Sequence, residues 1–135
     1  MPKTNRIKVN RDKSLDYASV ADNFAKGAEL AKEFGYWNAA GVLIVHAAIA
    51  YTDAITIKVA GVKSRGEDHA QAARLIQEVV ALDETGQKAL NKLRRLIEEK
   101  NLVSYSGEIY QKNDIERMWK LLERYRNWAI EILGI

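Results

Sequence analysis

Cysteine is absent from the 135 residues, which excludes disulfide scaffolds, thiolate metal sites and cysteine nucleophiles. Proline occurs once, at Pro2, so nothing breaks long helices. The eight glycines form neither a phosphate loop nor a dinucleotide pattern. The two histidines, His46 and His69, make no His-Glu-x-x-His arrangement, and a serine hydrolase elbow is also missing. Enzymes built on those devices are therefore not expected, and neither a metal nor a cofactor is called for. No run of about 18 to 20 uncharged apolar residues is present to span a membrane. Residues 1 to 13 are basic but lack the apolar segment of a signal peptide, so a cytoplasmic protein is expected.

What is present is helical pattern. Trp37 to Ala60 is a helix-length run, and from Ala39 to Tyr51 it is apolar on every side except at His46. A helix apolar all round is a buried one and needs amphipathic neighbours. Four others are expected. The first runs from an N-cap at Ser14 to Phe34, with Leu15, Tyr17, Val20, Ala21, Phe24, Ala28, Ala31 and Phe34 inward. The third opens on a Ser64-x-x-Glu67 capping box and buries Ala72, Ala73, Leu75, Ile76, Val79 and Val80. The fourth spans about Gln87 to Ser104, with Ala89, Leu93, Leu96 and Ile97 inward. The last runs from Asn113, paired with Glu116 as a capping box, to about Leu133.

At 135 residues with short connections, this predicts one all-α domain over 14–135, an up-down antiparallel bundle of four to five helices. Residues 1 to 13 are set apart as a basic arm in which Ile7 and Val9 alternate with charges as an edge strand would. Lys3, Arg6, Lys8, Arg11 and Lys13 against Asp12 give it +4, so the rest of the chain sums to −1 and has no global basic field. On the last helix Ile115, Met118, Leu122, Tyr125, Ala129 and Ile132 form a 3-4-3-4-3 seam. Trp119, Leu121, Trp128, Ile130 and Leu133 widen it to roughly 200°, more than one neighbour covers. A homodimer is expected through Trp119, Leu121, Tyr125 and Trp128.

Polar residues on apolar faces are the candidates for chemistry, because burying them is costly unless they are paired or used. Lys100 and Ser104 continue the inner face of the fourth helix; Lys100 either snorkels to water or lines a site. Arg126 sits inside the apolar arc of the last helix, where an arginine stacks on a tryptophan or pairs with a carboxylate. His46 and Asp53 share a face of the central helix and fit core groups satisfied by hydrogen bonds. Arg65 and His69, four apart, are able to meet on one face of the third helix.

Two stretches resemble the HEPN family (higher eukaryote and prokaryote nucleotide-binding domain) over about residues 15 to 133. One is His46-Ala47-Ala48-Ile49-Ala50-Tyr51 through Gly61 to His69, like the family's alanine-rich helix, glycine break and following histidine. The other is Lys100-Asn101-Leu102-Val103-Ser104-Tyr105-Ser106-Gly107, just before the last helix. The resemblance implies a helical bundle. It also implies ribonucleases, or toxins paired with a nucleotidyltransferase antitoxin, that dimerise to join copies of an arginine, polar residue and histidine motif. Here Lys100 stands for the arginine, Asn101 matches the polar residue, and Ser104 or Tyr105 stands for the histidine. The family's acid or base for RNA cleavage is thus missing, and lysine clamps a phosphate less well than arginine. The expectation is a divergent binding module for a nucleotide, an RNA or a nucleotidyltransferase partner, without ribonuclease activity. Its ligand residues would be Lys100, Asn101, Ser104, Tyr105, His69 and Arg65. The alternative is a metal-independent endoribonuclease using Lys100, Asn101 and Tyr105.

Overall fold

The computed structural model describes residues 4–66 and 68–135. Among them five α-helices form a bundle: α1 (Ser14–Glu33), α2 (Trp37–Ala60), α3 (Ala70–Val79), α4 (Glu84–Tyr105) and α5 (Lys112–Leu133). α1 and α4 run antiparallel to α2, whereas α5 runs parallel to it, Gly41 facing Ile115, Thr52 meeting Tyr125 and Lys58 binding the Leu133 carbonyl. α2 is the hub, packing against all four other helices, as its apolar circumference requires. It is long and apolar enough to cross a bilayer, but the bundle buries most of it, which makes it a core helix. It ends at Gly61, whose φ of 65° supplies the left-handed cap.

Residues 4–13 of the basic arm are joined to the bundle. β1 (Arg6–Lys8) pairs antiparallel with β2 (Val62–Ser64), with Ile7 opposite Lys63, and the Val9 amide donates to the Gly61 carbonyl at 2.9 Å. Arg6 and Thr4 both bind Glu78 on α3. A 3-10 turn at Arg11–Lys13 then leads into α1. No break divides residues 4–13 from the bundle.

Three local expectations shift. Ser64 does not cap a helix: it is buried in β2, and α3 begins only at Ala70, where the Asp68 carboxylate accepts from the Ala70 amide. Glu67, the other half of that expected box, lies outside the described residues. The last helix is capped two residues earlier than Asn113–Glu116, by a reciprocal pair from Gln111 and Asp114. The inner face of α1 is narrower than expected and built of alanine. Ala18, Ala21, Ala25, Ala28 and Ala31 make the buried stripe, while Leu15, Val20 and Phe34 are exposed. Small side chains let α1 and α2 approach closely along their length, and bulky ones there would hold them apart.

The wide arc of α5 is divided between two neighbours of the same chain, α2 and α4. Tyr125 is fully buried, and Leu121 and Trp128 nearly so, inside one core cluster. These residues offer no surface to a second subunit. Only Trp119 stays half-buried, with the Lys32 ammonium 4.6 Å from its ring centroid.

Candidate functional site: a histidine pair and a lysine

Three elements bring the polar candidates together. Asn38, at the start of α2, donates to the carbonyls of Val103 at 3.1 Å and Glu108 at 2.8 Å and accepts from the Tyr110 amide at 2.9 Å. That clamp fastens the end of α4 and the link to α5 onto α2. One turn further along, α2 and α4 touch at Gly41, where a Cβ would lie 2.5 Å from Val103 Cγ2. Lys100, a turn before Val103 on the antiparallel α4, is thereby carried toward His46. The β1–β2 pair returns the chain from α2 so that His69, immediately before α3, reaches the same place.

The His46 and His69 rings stand edge to face with centroids 6.2 Å apart, and Phe24 of α1 closes the other side of His46 at 5.8 Å. Both imidazoles are half-buried. Burial lowers the pKa of His46, and the nearby Lys100 ammonium lowers it further. His69 is lowered by burial, then by Lys100 and by His46, with Asp68 pulling weakly the other way. Both rings are therefore mainly neutral near pH 7. Lys100 Nζ also lies 5.5 Å from the centroid of the Tyr105 ring, which is 78% exposed.

Of the residues expected at the site, the structure gathers Lys100, Tyr105 and His69. Ser104 is half-buried, whereas Asn101 and Arg65 are exposed, and among the described residues no hydrogen bond ties any of the three to the cluster. His46 was expected as a core histidine; it is the fourth member. Its signal in the sequence was its position as the one polar group in the apolar stretch of α2, but its partner comes from another element, beyond the reach of spacing.

Other polar candidates serve the fold. Asp53 is buried beside Lys63, whose Nζ lies 3.9 Å from Oδ2, and does not meet His46. Among the described residues Arg126 makes neither the tryptophan contact nor the carboxylate pair expected of it; it lies near Tyr51, whose hydroxyl donates to Asp22, and burial first and then that carboxylate push the Tyr51 pKa up while the Arg126 charge opposes the rise. Among the described residues no group of three or more acidic or histidine side chains suits a metal ion.

A groove of about 420 Å³ opens between α3 and α4, beginning at Ala70 and lined further on by Arg74 and Arg94. Arg94 donates to Gln77 across it at 2.7 Å. Two neutral imidazoles beside a lysine are short of negative charge. An anion placed there would accept hydrogen bonds and raise the affinity of both rings for protons. The chain matches no protein-family model, no curated protein and no solved structure.

Proposed function

We propose that this chain is a HEPN-like binding module that takes the phosphate of an RNA or nucleotide on His46, His69 and Lys100. The observation that carries it is the convergence of two imidazoles and an ammonium from α2, the start of α3 and α4, with no carboxylate pairing Lys100 among the described residues. Tyr105 beside Lys100 supplies an exposed aromatic face on which a base can stack. The α3–α4 groove, with two arginines, gives the rest of a strand room to follow.

Cleavage is the second reading, and the same pair motivates it. One imidazole would take the 2′-hydroxyl proton while the other, protonated, gives its proton to the departing 5′-oxygen. Such a step needs one imidazolium. Burial and Lys100 depress both rings and make that form scarce near neutral pH, so binding is favoured over catalysis.

Titrating the protein with ATP and with a short single-stranded RNA, at low and physiological salt, tests both. Saturable binding is expected. It should tighten as pH falls toward 6, because the bound anion draws protons onto the rings, and it should be lost in Lys100→Ala and His46→Asn. Binding that ignores both substitutions would sink the assignment. RNA shortened by wild-type protein, and left intact by both His46→Asn and His69→Asn, would make the ribonuclease the better reading.

A further inference from the structure

The outer face of α1 carries an apolar stripe that the bundle leaves uncovered. Val20, Asn23, Gly27, Leu30 and Phe34 follow the 3-4-3-4 spacing of a coiled-coil seam, well round the helix from the alanines that pack on α2. Leu30 and Phe34 are 56% and 65% exposed, and Tyr36, 64% exposed, stacks on Phe34 with ring centroids 6.1 Å apart. Among these side chains a cavity of about 340 Å³ opens over Gly27 and Ala31. Single exposed apolar residues are ordinary; a contiguous set around a concavity marks a contact.

The charges beside the stripe indicate the occupant. Lys26 and Glu33 lie one heptad apart on the same edge of the seam, and neither makes an ion pair among the described residues. When two copies of α1 run antiparallel about a two-fold axis, Gly27 of one faces Leu30 of the other, and that leucine enters the cavity between Leu30, Phe34 and Tyr36, while the Cβ direction of Gly27 itself is met by Leu43 of α2 at 3.3 Å. Phe34 then covers Asn23 of the second copy. The same register sets Lys26 against Glu33 of the second copy, and the symmetry makes that pair twice. A parallel pairing would bring the two cavities no leucine in this way.

We propose that this face of α1 is where a second copy of the chain docks, antiparallel, with Leu30 as the reciprocal knob. Self-association was expected on α5, but Leu121, Tyr125 and Trp128 are buried inside the chain, whereas Leu30 and Phe34 of α1 are exposed. The interface stands on α1 alone, whatever binds at the histidine pair. One helix pair is at the small end of specific interfaces, so the dimer should dissociate in the micromolar range.

Sedimentation velocity of the full chain over the micromolar range tests it. Wild type should pass from monomer to dimer, and Leu30→Glu should stay monomeric with unchanged helical circular dichroism. Lys26→Glu, which sets like charges together twice, should weaken the dimer by about tenfold. Adding Glu33→Lys to that variant should restore it, and because both positions are at the surface the pair stays informative even if Leu30→Glu misfolds. A wild type that remains monomeric throughout, or a double reversal that fails to restore association, would overturn the interface.

Discussion

Replacing Asp53 by asparagine should stabilise this protein near neutral pH and leave it almost unchanged in acid. Asp53 on α2 is 8% exposed, and burial raises its carboxyl pKa from an ordinary 3.8 to about 6, with Lys63 at 3.9 Å offsetting only part of that rise. Between those two values the folded chain holds a proton that the unfolded chain has lost, so stability falls as pH rises through this window. A shift of about two pH units at about 1.4 kcal/mol each amounts to about 3 kcal/mol. About 2.5 kcal/mol of this should fall between pH 4 and pH 7.5, the remainder below it. Asparagine keeps the shape and has no charge to desolvate, so the gap between variant and wild type should open by that amount over the same window. The histidines act in the opposite sense. Their lowered folded pKa values contribute stability that is present above about pH 6.5 and lost in acid, but equally in both proteins, so they cancel from the difference. Urea denaturation of the two proteins at several pH values gives the number, and carbon NMR of the Asp53 carboxyl gives its midpoint directly. A stability gap flat with pH, or a midpoint below 4, would refute the assignment of a buried, weakly compensated carboxylate.

Asn38→Ala removes all three hydrogen bonds of the clamp and should cost about 2–3 kcal/mol in chemical denaturation. It should also weaken phosphate binding, since Lys100 rides on that segment; an unchanged affinity would separate the clamp from the site. Gly41→Ala should cost about 1–3 kcal/mol, because its Cβ meets Val103 and α4 must shift outward. Deleting residues 1 to 9 removes β1 and the Arg6 pairing with Glu78, and it should lower the melting temperature measurably and expose the amides of residues 62–64 to hydrogen exchange. An unaltered melt would refute a stabilising role for the β1–β2 pairing.

The bundle was readable because its governing pattern is local. An apolar stretch with no polar face can only be interior, and the boundaries of α2, Trp37 and Ala60, follow from that run and from Gly61 after it. Helix starts were less legible. Ser64 and Glu67 have the spacing of a capping box, yet Ser64 was drawn into a strand whose partner, Arg6, lies far back in the chain. On α1 Ala21, Ala28 and Ala31 are inward as expected, but Leu15, Val20 and Phe34 were misassigned, because large apolar residues outweigh alanine in a periodicity count, whereas closeness to α2 selects the small ones.

By itself the sequence determined that the chain is helical, that α2 is central, and that Lys100 and the two histidines are out of place on apolar faces. Those are consequences of side-chain period and of the cost of burying polar groups, both visible one segment at a time. Tertiary structure alone decided which polar groups meet. His46 and Asp53 share a face of one helix, yet one finds His69 and Lys100 and the other finds Lys63. It also decided which apolar faces are covered. The arc of α5 was wide enough for a second subunit and is closed by α2 and α4, while the stripe on α1 stays open. Closure depends on where neighbouring helices lie in space, and spacing along one helix carries no information about that.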